Sequence, residues 1–272
     1  MPIVARPTAP TLQELREVAQ PPHVRARKNA EHWTAELYLR HISIYLTAVL
    51  VRTRITANGV TGLMIVSGWM IAAALLIPGV WGALLALFFS QLQLYFDCCD
   101  GEVARWRGTS SAKGVFLDKV GHYTTEGAVA VALGIRAVGD LGLIRSEPET
   151  AYPFIVAGLV LGWFVLLNKA LNDMVHVSRA FNGLGRLPDT AEATDIPRGF
   201  IASLKRMARF VPFHRIYHSV EMSILAVLSA VVGLIPSVGI TSDRVLVVGL
   251  ALLCGLSVVG HFVAIMASRR LS

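Results

Sequence analysis

The sequence predicts an all-α integral membrane protein with six transmembrane helices and an N-terminal amphipathic juxtamembrane helix. The chain has 272 residues, of which 54% are hydrophobic and 16% are charged, whereas about a quarter of the residues in a soluble domain are charged. Its longest uncharged stretch covers the 42 residues from Ile55 to Phe96 and is interrupted at Pro78-Gly79. Because one crossing takes about 20 apolar residues, this stretch predicts two spans joined by a tight turn.

Four further segments supply the other predicted spans. Three of them are uncharged and close to the length of one crossing, namely Ala151 to Asn168, Met222 to Ser242 and Val245 to Ser268. The fourth, from about Val115 to Arg136, is apolar in its second half and polar in its first half. We count it as a span with a polar entrance, so that residues 55–272 form one six-span domain.

The N-terminal part is predicted to lie outside the bilayer. Residues 1–29 are polar and contain five prolines, which predicts a mobile cytoplasmic arm without a secretory signal. Over residues 30–54, apolar side chains such as Trp33 and Ile44 are mixed with charged ones such as Glu36 and Arg40. This pattern is typical of an amphipathic helix that lies along the membrane surface.

The basic residues predict the orientation of the spans. Of the 25 Lys and Arg residues, 22 fall on or beside the N-terminal arm, the 101–113 loop, the 173–217 segment or the C-terminus. Since basic residues favour the cytoplasmic side, both termini are predicted to be cytoplasmic in a multi-pass protein of the cell membrane. The net charge of +7 then reflects a basic face beside anionic lipid, and it requires no nucleic acid as partner.

Polar residues with helical spacing mark the candidate site. Asp97, Asp100, Gly101 and Ala104 share one face of a helix, because they are spaced i, i+3, i+4 and i+7. On the next span Asp118, His122 and Glu126 follow one another in steps of four. The site is therefore predicted at the cytoplasmic ends of the second and third spans.

Clustered carboxylates near hydrocarbon predict a bound cation, because ionised carboxylates repel one another and are costly there. Oxygen ligands favour Mg²⁺ or Mn²⁺ over zinc. The small side chains of Gly101, Ala104 and Gly114 would let a bulky ligand approach the backbone. Metal ions beside a phosphate-sized space indicate phosphoryl transfer, in which two ions can assist the attacking and leaving oxygens.

Each of these residues taken singly also has a structural explanation. A lone intramembrane Asp is commonly a packing group or part of a proton relay, and a Gly/Ala face is commonly a close helix contact. The joint spacing over the 26 residues from Asp97 to His122 favours the functional interpretation.

The same segment resembles a known family. The CDP-alcohol phosphotransferases carry the signature DxxDGxxAR, eight or nine residues, GxxxDxxxD, and this chain matches every fixed position from Asp97 to Asp118 and departs at the last, where His122 stands. A second stretch, Ile55 to Thr61, is similar to the TPNxVT start of a subgroup, with Ala57 in place of the usual Pro. The resemblance covers residues 36–130 well and the later spans only by hydropathy.

The resemblance implies the roles of individual residues. Asp97, Asp100 and Asp118 would bind the metal ions, with His122 as a further ligand candidate. The cytidine and diphosphate of a CDP-linked donor would lie among the nucleotide-binding residues, which are Asn58, Thr61, Gly101, Ala104, Arg105 and Gly114. The family's reaction is attack of an acceptor hydroxyl on the donor's β-phosphorus with release of CMP. The donor would be CDP-diacylglycerol or a CDP-polyol, the acceptor an alcohol or polyol phosphate, and the enzyme a homodimer.

His122 leaves three alternatives open. A neutral imidazole can accept the proton of the acceptor hydroxyl at cytoplasmic pH, although it is a poorer Mg²⁺ ligand than an oxygen. His122 is therefore a candidate base, a candidate metal ligand or a mark of lost activity. Glu126 is a candidate for the missing carboxylate or for a group that orients the imidazole.

Weaker signals concern the acceptor. Asn172 and His176 lie one turn apart on the fourth predicted span and could line the acceptor pocket, or could simply leave the interface. Arg206, Arg209 and Arg215 could bind an acceptor phosphate or face anionic lipid.

Two other functions compete with transfer. A catalytically silent relative would bind CDP and metal as a membrane scaffold. An ion-coupled transporter would explain the intramembrane Asp118 and Glu126, but the broken, duplicated helices of a transporter are missing from the pattern.

Overall fold

The structure is a computed structural model, and it describes residue 7 and residues 9–22, 33–185 and 216–271. Over these ranges it contains helices and no strand, which confirms the predicted all-α class. The helices in chain order are α1 (Leu12–Ala19), α2 (Arg40–Leu50), α3 (Ala57–Leu75), α4 (Gly79–Arg107), α5 (Ala112–Arg136), α6 (Leu143–Ser146), α7 (Pro148–Phe181), α8 (Ser219–Val232) and α9 (Thr241–Met266). A π-helical turn, Ala35–Leu39, precedes α2, and a 3₁₀ turn, Arg269–Leu271, follows α9.

Four of these helices are long and apolar enough to cross a membrane, namely α3, α4, α7 and α9. They indicate an integral membrane protein. The two other predicted spans, α5 and α8, are helical but do not meet the same criteria within the described residues. The first half of α5 carries charged residues. α8 has only 14 residues and is capped by Gly233, whereas the uncharged stretch of the sequence continues to Ser242.

The chain divides into two compact units. The first contains Met1–Gly68 and Phe89–His122, and the second contains Trp69–Phe88 and Tyr123–Ser272. The core of the first unit is formed by apolar side chains of α1, α2, α3 and α4, which include Leu15, Ile44, Val60, Cys99, Val103 and Trp106. These contacts place the C-terminal half of α4, which carries the signature, against the two helices at the N-terminus.

The prediction of a mobile arm over residues 1–29 needs correction at α1. Thr11 caps this helix: its hydroxyl accepts from the Glu14 N–H, while the Glu14 carboxylate accepts from the Thr11 N–H. The Thr11 N–H and the Thr11 hydroxyl both donate to the Glu14 carboxylate, and these two bonds lower the pKa of Glu14. Leu15 and Ala19 are fully buried, and burial of such an apolar face is what stabilises a helix this short.

The predicted juxtamembrane helix over residues 30–54 is shorter in the structure. Its described part is the π-helical turn and α2, and the helix ends at Leu50. The following carbonyls are bound by Arg107 at the end of α4, which donates to Leu50 at 3.0 Å, to Thr53 at 2.8 Å and also to Ile55. Arg107 thereby satisfies helix-end carbonyls and fixes the linker that leads into α3.

In the second unit, glycines let α5 and α7 pack closely. A Cβ added to Gly134 would lie 2.6 Å from the Phe154 carbonyl and 2.7 Å from the Gly158 Cα. Small residues at such crossings are typical of helix pairs in membranes. α9 packs along α7 in the same unit.

A buried ion pair joins the end of α5 to the first turn of α9. Arg136 Nε lies 3.1 Å from Asp243 Oδ2, and Ser229 donates to Asp243 at 2.6 Å. The terminal guanidinium nitrogens of Arg136 donate to the carbonyls of Ile77 and Gly79, at 3.0 and 2.8 Å. Arg136 thereby binds the backbone at the turn between α3 and α4.

Candidate metal and nucleotide site

Three polar side chains of the signature meet between α4 and α5. His122 Nε2 lies 3.2 Å from Asp97 Oδ1 and 3.5 Å from Asp118 Oδ1. The three side chains keep between about a quarter and two fifths of their surface exposed, at 26% for His122, 32% for Asp97 and 38% for Asp118. The cluster is therefore held by the fold and still open to a ligand.

The close approach of the helices beside this cluster depends on Gly121. A Cβ there would lie 2.6 Å from Ile65 Cγ1 and 2.9 Å from Met64 Cε on α3. A larger residue would require the Ile65 and Met64 side chains to shift or α5 to move away from α3. The signature leaves this position open, so that sequence reasoning did not identify Gly121.

The cluster fits a divalent cation. One ligand atom from each of Asp97, Asp118 and His122 lies within 4.8 Å of the other two, so that the three side chains could hold one ion. Two carboxylates and an imidazole are also a donor set that Mg²⁺ or Mn²⁺ accepts. Repulsion between the two carboxylates would be relieved by the positive charge of the ion.

Asp100 is not part of this three-residue group. Its Oδ2 accepts a hydrogen bond of 2.7 Å from the Thr61 hydroxyl on α3. The structure thus brings together two residues that the sequence assigned to different roles, a metal ligand and a nucleotide-binding residue. The bond ties the signature helix to the first turn and a half of α3.

The two glycines of the signature face polar groups. A Cβ on Gly101 would lie 3.0 Å from Arg105 Nη1, so the space above this glycine holds the guanidinium one turn along α4. A Cβ on Gly114 would lie 3.2 Å from Asn58 Oδ1. Four of the predicted nucleotide-binding residues therefore form two contacts, while Ala104 lies half-buried one turn after Gly101.

Side-chain caps define where α3 and α5 begin. The Thr56 hydroxyl accepts from the Gly59 N–H at 3.0 Å, and the Ser111 hydroxyl accepts from the Gly114 N–H at 3.1 Å. Both are N-cap bonds to the third helical residue. The cap explains why Ala57 can replace proline, since the helix start does not depend on it.

Sequence reasoning missed Glu102, which stands at a variable position of the signature. Its side chain is completely buried. Its carboxylate accepts from Ser43 at 2.6 Å, from Thr47 at 2.7 Å and from Gln20 at 2.8 Å, and it forms an ion pair of 3.4 Å with Arg40. The i, i+4 spacing of Ser43 and Thr47 was the available signal, since it aligns two hydroxyls on one face of α2.

The remaining candidates lie in the second unit. Glu126 is buried and pairs with Lys169 at 2.9 Å and with His218 at 3.5 Å. The side-chain oxygen Oδ1 of Asn172 accepts from Arg270 at 3.3 Å. His176 is exposed on α7. Three predicted acceptor residues lie outside the described residues, namely Arg206, Arg209 and Arg215.

Comparison with known families decides the assignment. A family model described as CDP-alcohol phosphatidyltransferase matches residues 54–195 of the chain, a region that contains every signature position and the whole Asp97, Asp118 and His122 cluster. The chain belongs to the CDP-alcohol phosphatidyltransferase family. None of the curated proteins compared with the chain matches it.

Membership in the CDP-alcohol phosphatidyltransferase family makes this chain one of a group of membrane transferases that use a CDP-linked donor and an alcohol acceptor, in phospholipid synthesis. The family is also known for divalent metal ions, in agreement with the Asp and His cluster. The family match ends at residue 195, so that α8 and α9 lie outside it.

Proposed function

We propose that this protein is a metal-dependent transferase that moves a phosphatidyl or phospho-polyol group from a CDP-activated donor to an acceptor hydroxyl and releases CMP. The observation that carries the proposal is the convergence of Asp97, Asp118 and His122, at 3.2 and 3.5 Å, in a chain of this family. Family membership supplies the reaction class, and the cluster supplies groups able to perform it.

The residues of the cluster have two tasks in this proposal. Asp97 and Asp118 would hold two ions of Mg²⁺ or Mn²⁺, with Asp100 completing the set from its hydrogen bond to Thr61. When bound, such ions supply positive charge to the phosphate oxygens and favour ionisation of an attacking hydroxyl. Arg105 and the backbone at Gly101 and Gly114 would position the diphosphate and cytidine of the donor.

We assign His122 as the general base. Carboxylates can only accept hydrogen bonds, so the contact with Asp97 is satisfied when Nε2 carries the proton. In that tautomer the lone pair is on Nδ1, and a neutral imidazole can accept the acceptor's hydroxyl proton. Glu126 would contribute at most a supporting charge, because it already pairs with Lys169.

The membrane arrangement is part of the proposal. Six helices, α3, α4, α5, α7, α8 and α9, would cross the cell membrane with both termini and the site on the cytoplasmic side, since the basic residues are concentrated there. The residues proposed to bind the acceptor are Asn172, His176, Arg206, Arg209 and Arg215. The family resemblance further leads us to propose a homodimer.

The direct test is release of CMP. Purified protein would be incubated with Mg²⁺ or Mn²⁺, with CDP-diacylglycerol or a CDP-polyol, and with a panel of polyols and polyol phosphates. We expect CMP to appear only when metal, donor and acceptor are all present, and chelation by EDTA to stop it. Metal-independent release would contradict the proposed chemistry.

One observation favours a second function. His122 stands where the signature ends in Asp, and a protein that lost this carboxylate could retain CDP and metal binding as a scaffold. Binding of CDP together with metal, without CMP release for any donor and acceptor pair, would favour the scaffold.

A further inference from the structure

The buried carboxylate of Glu102 joins three helices of the first unit. It lies on α4, it accepts from Ser43 and Thr47 of α2, and it accepts from Gln20 at the end of α1. Gln20 is itself 7% exposed, and its amide nitrogen makes bonds of 2.8 Å both to Glu102 and to the Arg40 carbonyl. Both amide hydrogens of Gln20 are thus used, one on each neighbouring helix.

A second bond links α1 to the signature. Arg105 Nε donates to the Ala19 carbonyl at 2.6 Å. Ala19 is the last residue of α1, so its carbonyl has no hydrogen-bond partner within the helix. This carbonyl also lies at the negative end of the helix dipole, which attracts the positively charged arginine. The same guanidinium lies over Gly101.

We propose that Gln20 and Glu102 are positioning residues for the donor site. They hold the end of α1 against α4, and the Ala19 carbonyl then holds the Arg105 guanidinium over Gly101. The inference rests on the proposed function, because that proposal places Arg105 beside the donor diphosphate. It adds that the segment Leu12–Gln20, which lies outside the family match, is needed for donor binding.

The contacts distinguish positioning from simple packing. Leu15 and Ala19 pack α1 by apolar burial, and this packing does not require a carboxylate. A buried carboxylate is costly unless it is well hydrogen-bonded. Glu102 has hydrogen-bond donors from two other helices. It lies one residue after Gly101 and three residues before Arg105, so these donors fix the rotation of α4 at the signature.

The experiment uses full-length protein in detergent with Mg²⁺ and compares Gln20→Met with Gln13→Met. Methionine keeps the length of glutamine and removes its hydrogen bonds. Gln13 lies on the exposed face of the same helix, where its amide donates to Glu17, so it is the matched control. Leu15→Ala, which loosens α1 by a different route, is the second test variant.

We expect Gln20→Met to raise both the KM for the CDP-linked donor and the Kd for CDP about tenfold, the effect of losing one hydrogen bond to a charged group. The KM for the acceptor and kcat at saturating donor should change less than about twofold, since the lost interaction concerns donor binding. Leu15→Ala should shift the same two constants, and Gln13→Met should shift neither. All assays are run well below the melting temperature of each variant.

The outcomes separate the two proposals. If the wild type turns over and Gln20→Met lowers only the melting temperature, with donor KM and CDP Kd unchanged, the positioning role is overturned and the proposed function stands. If the wild type neither releases CMP nor binds CDP with Mg²⁺, the proposed function fails and the positioning role fails with it.

Discussion

Asp97 and Asp118 place two carboxylates around one imidazole, and replacing either removes a negative charge with almost no change in volume. Because the proposed ions need both oxygens, Asp97→Asn or Asp118→Asn should lower CMP release by about 10² to 10³, the usual effect of losing one electrostatic group in an active site. Metal-dependent binding of CDP should weaken in parallel. The measurements are steady-state CMP release and titration of CDP in the presence of Mg²⁺.

The matched control for these two variants is Asp140→Asn. Asp140 is exposed in the loop after α5, and its side chain accepts from the Gly142 N–H, a bond that asparagine can also accept. Its activity should equal that of the wild type. Wild-type rates in both Asp97→Asn and Asp118→Asn would refute the metal site.

His122 is the position where the chain departs from the family signature. If its imidazole is the base, His122→Ala should lose about 10² to 10⁴ in kcat, the usual contribution of general base catalysis, and should keep CDP and metal binding nearly intact. His122→Asp restores the signature and should retain more activity than His122→Ala. Turnover by His122→Ala at the wild-type rate would shift the assignment of the base to Glu126 or to a hydroxyl ionised by the metal.

At the scale of single residues, the sequence predicted those whose spacing is local. Asp118 and His122 lie one turn apart on a helix, and their meeting with Asp97 was expected because the signature brings two polar helix faces together. The partner of Asp100, by contrast, is Thr61, 39 residues away, and Gln20 reaches Glu102 across 82 residues. Such pairs depend on how helices pack, and a single sequence contains no period that identifies them.

At the scale of elements, the crossing of α5 and α7 depends on the absence of side chains. A Cβ at Gly134 would lie 2.6 Å from a backbone carbonyl, which cannot move as a side chain could. Gly134→Ala should therefore destabilise the protein by about 1 to 3 kcal/mol, the usual cost of overpacking, and should lower the apparent melting temperature in detergent.

Gly249→Ala is the matched control, because a Cβ at this mid-helix glycine of α9 would meet nothing within 4 Å. The free energy of unfolding should change by less than about 1 kcal/mol, and in the stabilising direction, since alanine is the better helix former. Equal melting temperatures for Gly134→Ala and the wild type would show that the crossing can relax.

The elements that hydropathy predicted best are the long apolar ones. α3 begins close to Ile55 and ends shortly before Pro78, and α4 begins directly after Pro78 and ends just past the signature. Charged residues and the proline mark these limits in the sequence. The helix α1 was missed, since its eight residues are too few for a clear period and prolines flank them. Its stability comes from burying Leu15 and Ala19, which is a tertiary effect.

At the scale of the whole molecule, hydropathy indicates which helices can cross a membrane, and the distribution of charge indicates how many of them do. Length and apolar composition identify α3, α4, α7 and α9 as able to cross a membrane. They do not identify α5, because that helix carries the charged half of the site, or α8, because it is short. The six-span proposal therefore depends on the basic residues, because the basic 173–217 segment and both termini all fall on the cytoplasmic side only if α5 and α8 also cross.

This topology can be tested by accessibility of introduced cysteines in intact cells. The native cysteines, Cys98, Cys99 and Cys254, are buried, so a membrane-impermeant maleimide should label the wild type weakly. Ser146→Cys lies at the exposed end of α6, between α5 and α7, which six spans place outside, and it should label in intact cells. Ser272→Cys at the C-terminus should label only after the membrane is permeabilised.

Labelling of both variants in intact cells would reverse the C-terminal orientation, and labelling of neither would put the 137–147 loop inside. Either result would contradict six crossings with cytoplasmic ends. The reason for expecting opposite behaviour is physical: in the six-span arrangement three basic residues would lie on the outer side and 22 on or beside the inner side, and basic residues of short loops are retained in the cytoplasm during insertion.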